Sequence, residues 1–353
     1  MANAVLQPPL HPTVVPGSTN AADDPERPRN TQRMRKATFY LSREAQRLGT
    51  DRELRRRHAL GTMIRLRAGV FIEADAWQGL DPDERYRARV QAAALASQPD
   101  AQFSHASAAA LWRLPSLRKW PTVVHELVER SAGGTSRVGI VRHGLELDPH
   151  AVRIDGVLTT SLSRTLIDVA SAGDFASGVV AMDAGRRAPE DGDFRLGMID
   201  SAPALQELRE HFRGLLPYPA PARVERVLEF SNPLSGSVAE SFARVQFHAL
   251  GLPEPELQTA FRDEFGLIGF ADFFWPHLEL ICEVDGKLKY GAARRYRRDV
   301  PAQQVLLEEK DREDRMRRVS KGFVRLDWKK ISNRRVLSDY LSGFGLRPLR
   351  RVT

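Results

Sequence analysis

Cysteine is nearly absent: Cys282 is the single one among 353 residues. That scarcity excludes an internal disulfide and any zinc module built on several thiolates, and it fits a reduced, intracellular setting. Long apolar runs are missing too, since no stretch approaches the roughly 18 residues a membrane helix needs. The first 30 residues lack the basic start and apolar segment of a secretory signal, and Asp23, Asp24 and Glu26 disfavour a transit peptide. The expected location is therefore the cytoplasm, with no membrane partner. No internal repeat is visible, and His105, His125, His143 and His150 lack metal-ligand spacing. A lone histidine more often serves structure than chemistry, so the sequence assigns these four no role.

What is present is an ordinary apolar content of 42%, enough for two or three domains with their own cores, and a formal net charge of +8. An excess of Lys and Arg suits a polyanion, because contact with phosphates releases counterions. Residues 1–31, rich in Pro, Ala and polar groups, read as a disordered tail.

Residues 32–80 spell two short helices and a hairpin. Ser42 and Asp51 stand where helix caps belong, Gly49 and Gly61 where helices end, and "MIRLRAGVFI" alternates around Gly69. This order matches a helix-turn-helix with a wing, in which Arg52, Arg55 and Arg56 on the second helix and Arg65 and Arg67 on the wing would meet duplex DNA. Residues 81–185 read as an α+β module. Its helices start at Pro82 and near Ser104, its β-like pieces "TVVHELVER" and "RVGIVRHGLEL" lie around Gly133-Gly134, and the helix "TTSLSRTLIDVASAG" follows. Residues 186–234, rich in Pro, Gly and charge, read as a linker or hinge with a helix at 203–214.

From residue 235 to 345 the order is helix, three strands, helix, strand, followed by a basic tail at 346–353. The first helix carries Val238, Phe242, Val245 and Leu250 on a stripe, and "LQTAFRDEFGLIGFADFFWP" folds as two strands around Gly266. In the third strand, "LELICEVDGKLKY", side chains alternate faces, so Leu280, Cys282 and Val284 oppose Ile281, Glu283, Asp285 and Lys287. Asp272 stands among aromatic and apolar residues, where an unpaired charge would cost several kcal/mol. If Asp272 and Asp285 converge, they form an all-oxygen site for Mg²⁺ or Mn²⁺, with Lys287 beside it. Lys289, Arg294 and Arg295, interleaved with tyrosines, suit backbone phosphates. Two acids keep a structural alternative. Glu240 completes a capping box with Ser237, and Glu283 can pair with Lys287, Arg294 or Arg295. The helix "EEKDREDRMRRVS" reads as an exposed, salt-bridged surface.

Asp272 followed by "EVDGK" within this element order resembles the PD-(D/E)XK nuclease superfamily. With "EEKDREDRMR" and "GFVRLDW" it is similar to very-short-patch-repair-like nuclease domains. The resemblance covers 235–345 and implies a restriction-endonuclease-like core. In it Asp272 and Asp285 match the metal-binding acids, Lys287 the lysine, and Glu240 the glutamate of the first helix; Glu283 is a second candidate acid on the same face. Ala271 stands where the superfamily often has proline. Residues 32–185, through "RLRAGVFI", "FSHASAAALWRLP" and "LTTSLSRTLIDVA", resemble the AbiEi-type antitoxin of type IV toxin-antitoxin systems, which implies a winged helix on DNA and a cognate toxin as partner. The combined expectation is a metal-dependent DNA endonuclease with no small-molecule cofactor. The alternative is a non-catalytic transcriptional regulator or antitoxin.

Overall fold

A computed structural model describes residues 38–132, 136–189, 193, 195, 198–199, 201–285 and 302–349. The expected tail at 1–31, Gly133-Gly134, the site residues Lys287, Lys289, Arg294 and Arg295, and the very end of the chain lie outside the described residues. Among those described the chain is mixed α+β, with thirteen helices and three sheets. It divides into two compact units.

The first unit takes Met1–Leu114, Arg118–Ala172 and Pro189–Pro219. It opens with β1 (Tyr40–Leu41), α1 (Ser42–Arg47), α2 (Asp51–Ala59), β2 (Met63–Arg67) and β3 (Val70–Glu73), the strands forming an antiparallel sheet in the order β1-β3-β2. The hairpin turns at Gly69, whose φ of +76° a residue with Cβ adopts only under strain. Successive β3 residues feed opposite faces. Phe71 packs with Ala45, Leu54 and Met63, while Val70 and Ile72 pack with Leu80, Ala88 and Ala92. The helix starts differ by one residue from those expected. Ser42 is already helical and Leu41 takes the cap position without a side-chain acceptor, while Thr50 precedes Asp51. Asp51 is instead a first-turn acid favoured by the helix dipole.

After α3 (Ala74–Gln78), α4 (Pro82–Leu95) begins with Pro82 behind an Asp81 cap. Glu84 completes the box through hydrogen bonds of 2.8 and 2.9 Å. A second sheet follows from β4 (Gln102–Phe103), β5 (Val124–Val128), β6 (Ile140–Gly144), β7 (Val152–Ile154) and β8 (Val157–Thr159), ordered β6-β5-β4-β8-β7. Strands β5 and β6 run parallel, so the two β-like pieces are not arms of a simple hairpin. Helices α5 (His105–Leu111) and α6 (Leu162–Ala172) also belong to this unit, while α7 (Phe175–Arg186) opens the second.

The stretch expected as a linker holds two packed helices. In α8 (Leu205–Gly214) Leu208 and Phe212 are buried, and in α9 (Pro221–Phe230) so are Val224, Val227 and Leu228. Such apolar stripes at helical spacing anchor a segment that proline and charge alone suggest is free. Helix α8 joins the first unit and α9 the second.

The second unit continues with α10 (Val238–Ala249), β9 (Glu256–Asp263), β10 (Gly266–Trp275), β11 (Leu280–Asp285), α11 (Ala302–Arg318), β12 (Gly322–Asp327), α12 (Trp328–Ile331) and α13 (Arg334–Ser342). Its sheet runs β12-β11-β10-β9, with β11 antiparallel to β10 and parallel to β12. The two faces carry separate cores. Leu280, Cys282 and Val284 pack with Ala239, Ala243 and Phe247 of α10, while Ile281 packs with Met316 of α11 and with Phe323. The alternation expected of β11 is thus present, and Cys282 is a buried apolar residue. The α10 stripe is shifted, however. Ala239, Ala243 and Phe247 form its sheet-facing line, with Phe242 and Leu250 only partly buried at its margin. A Cβ at Gly322 would lie 2.8 Å from Leu280 Cδ1, so a side chain there would force Leu280 to shift.

Candidate functional site

Asp272 on β10 and Glu283 and Asp285 on β11 lie on the two central strands of the second unit's sheet. Strands β10 and β11 pair from Trp275↔Leu280 to Phe273↔Cys282, and there the paired register ends. Just beyond it, buried Asp272 accepts the main-chain N–H of Val284 at 2.9 Å, so a side-chain oxygen takes the place of a ladder carbonyl. This fastens Asp272 to the segment of β11 that carries Glu283 and Asp285.

Glu283 shares the face of Ile281 and is held by two arginines. Arg312 of α11 donates to it at 2.6 Å, and Arg325 of β12, its neighbour in the parallel register, at 3.3 Å. Burial raises its pKa, opposed by Arg312 and reinforced by the negative charge of Asp272. The partners expected, Lys287, Arg294 and Arg295, lie outside the described residues. Arg312 and Arg325 lie far along the chain, and only the packing of α11 and β12 on β11 brings them in. The same contacts modify the reading of α11 as a purely solvated surface, since Arg315 also reaches the sheet, with a 2.6 Å hydrogen bond to Asp263.

Arg325 is the hub of this face. Its guanidinium lies 3.1 Å from Glu313, 3.3 Å from Glu283, 3.5 Å from Glu309 and 3.7 Å from Asp285. Asp285 is the more open of the two aspartates, its side chain 41% exposed.

Glu240 takes a structural role at the start of α10. Its carboxylate accepts Gly236 N–H at 2.6 Å and Ser237 O–H at 2.9 Å, while its own N–H donates to Ser237 Oγ at 3.2 Å. Gln258 adds a bond at 3.3 Å. Among the described residues no group of three or more His, Cys, Asp or Glu is arranged to hold a metal ion. The structure thus ties Asp272 to the Glu283–Asp285 segment and leaves Glu240 in its own cap network.

In the first unit Arg52 and Arg65 are exposed. Arg55 pairs with Asp51, Arg56 pairs with Glu53 at 2.7 Å, and Arg67 donates to the Val138 carbonyl at 3.1 Å. Exposed pairs of this kind contribute about 0–1 kcal/mol, so Arg55 and Arg56 can exchange their carboxylates for phosphates at little cost.

One cluster escaped the sequence reading. His105 and His143 stack with ring centroids 3.7 Å apart, and His125 Nδ1 lies 2.9 Å from His143 Nε2. Parallel pairing of β5 with β6 brings the last two together, and α5 supplies the first. His105 Nδ1 is 2.9 Å from Ser104 Oγ and 3.6 Å from Asp168, which also accepts Arg164 Nε at 2.9 Å and the Tyr218 hydroxyl. His105 holds a left-handed φ of +51°, a conformation costing about 1–3 kcal/mol in a non-glycine residue. Burial drives all three imidazoles toward the neutral form, His125 to about 4 and His143 to about 3. Mutual repulsion of protonated rings adds to the depression of His125 and His143.

No family model, curated protein or solved structure matches this chain.

Proposed function

We propose that the protein binds duplex DNA through its N-terminal helices and hairpin and hydrolyses DNA phosphodiesters, with a divalent metal ion, in its C-terminal unit. The observation that carries this reading is the attachment of Asp272 to the β11 segment bearing Asp285, within an order of helix, three strands, helix and strand. That order supports a restriction-endonuclease-like core, and the order of α1, α2 and the β2–β3 hairpin supports a winged helix. The exposed Arg52 and Arg65 suit phosphate contact.

Asp272 and Asp285 are hard oxygen donors, the chemistry that Mg²⁺ or Mn²⁺ requires, and they are the residues that would hold the ion. Glu240 and Glu283 are already engaged by their cap and their arginines. A bound ion would supply Lewis acidity toward the scissile phosphate and a lowered pKa for water. The protein's own contribution is positional. Asp272 is held in line by Val284, and Arg312 and Arg325 keep Glu283 charge-compensated beside it. Lys287 would orient the attacking water, while Lys289, Arg294 and Arg295 would follow the DNA backbone.

A second reading is a regulator or antitoxin that binds DNA, and a cognate toxin, without cutting. The contacts of Arg325 with Glu283 and Asp285 favour it, because an internal cation there already balances the acids. Cleavage of plasmid DNA in Mg²⁺ or Mn²⁺ separates the two: the nuclease nicks and the regulator only binds.

A further inference from the structure

Within the second unit, α7, α9 and α10 enclose a cavity of ≈ 380 Å³ with the Leu252–Pro255 segment. Phe175, Phe230, Phe247 and His248 line it. Phe230 lies 5.0 Å from His248 and 5.4 Å from Phe175, measured between centroids. The guanidinium of Arg226 stands 5.0 Å from the Phe175 ring and that of Arg244 stands 4.7 Å from Phe230. Glu229 and Glu254 complete the rim.

The wall is braced from behind. Arg244, 6% exposed, donates to Asp183 at 2.9 Å and to the Phe230 carbonyl at 2.7 Å. Asp183 also accepts the Asn232 N–H at 2.7 Å, which fixes the chain just past Phe230. A ring entering the cavity would therefore meet aromatic side chains already in place, so little ordering opposes its binding. Arg226, Glu229 and His248 are exposed at the mouth.

The charges narrow the class of ligand. A simple anion would meet Glu229 and Glu254, and a simple cation would meet Arg226 and Arg244. A flat, neutral heteroaromatic ring with donors and acceptors on its edge satisfies both. It can stack on the rings, offer N–H groups to the acids and lie under a guanidinium. We propose that this cavity binds a nucleobase, with Arg226 placed to meet the phosphate that the base carries. The base has two sources, a free nucleotide or an unstacked base of a DNA strand, and stacking with a cation at the backbone serves either. The inference does not need the sheet acids to be catalytic.

The test is saturation-transfer NMR on the full chain with dAMP, with base-free deoxyribose 5-phosphate, and with a short oligo-dA strand. The expected result is saturation of the adenine H2 and H8 protons above the sugar protons and no signal from the base-free compound. Arg226→Ala and His248→Ala, both on the surface, should each weaken affinity about three- to tenfold, as loss of a stacking or cation–π contact does. Binding of the strand without dAMP, weakened by the same variants, assigns the DNA source, and binding of dAMP assigns the free nucleotide. The proposal is overturned if neither adenine ligand is saturated, if the base-free compound binds equally, or if both variants with unchanged melting bind as the parent does. Plasmid cleavage is scored separately, so loss of the catalytic reading leaves this result standing.

Discussion

Replacing Asp168 with alanine removes a carboxylate shared by Arg164, Tyr218 and His105. Asp168 is 0% exposed and Arg164 1%, so water cannot take the missing place. Breaking a buried ion pair from one side costs about 3–5 kcal/mol, because the remaining charge stays desolvated. The orphaned Tyr218 hydroxyl belongs to the same network and is not added separately. Taking about 4 kcal/mol and a urea slope of about 2 kcal/mol per molar, the midpoint of the first unit falls by about 2 M. Urea unfolding followed by tryptophan fluorescence reads this, since buried Trp112 donates to the Thr160 carbonyl, just before α6, at 2.8 Å. Asp168→Asn, which keeps an acceptor but loses the charge, should fall between the parent and alanine. A midpoint shift below about 0.3 M for Asp168→Ala would refute the claim that this network is a buried, charge-balanced hub.

His125 and His143 have folded pKa values of about 4 and about 3, below the ordinary 6.5. The unfolded chain therefore takes up protons first, and stability is lost as the pH falls from about 6.5 toward these values. Unfolding midpoints measured between pH 7 and 4 should decline less steeply in His125→Gln and His143→Gln than in the parent. An unchanged slope would contradict the neutral cluster. On the DNA side, Arg52→Ala and Arg65→Ala should each weaken duplex binding and lower the slope of log K against log salt by about 1, whatever the sequence of the duplex. A gel-shift titration at several salt concentrations checks this, and an unaltered slope would remove these residues from the interface.

Much of the second unit was legible before the fold was known, because its signals are local. Strand parity alone placed Cys282 opposite Glu283, and Ser237 marked the start of α10. The partners of Glu283 were not legible, since Arg312 and Arg325 reach it only through packing of α11 and β12. The histidine cluster was hidden for a related reason. His105, His125 and His143 have no periodic relation, and only the parallel pairing of β5 with β6 and the docking of α5 bring them into contact. In the expected linker the helix read at 203–214 is present as α8, while at α9 proline and charge density outweighed the apolar spacing of Val224, Val227 and Leu228. The resemblance to nuclease and antitoxin families named a chemistry that local patterning cannot supply. Its lysine, Lys287, falls outside the described residues.

The most direct test of the catalytic proposal is incubation of purified protein with supercoiled plasmid in Mg²⁺, in Mn²⁺ and in chelator, beside Asp272→Ala and Asp285→Ala. The expected result is conversion to nicked or linear DNA with metal, none with chelator, and loss of cutting in both variants while gel-shift binding persists. Plasmid that is bound yet stays supercoiled with either metal would contradict it and leave the regulator as the better reading.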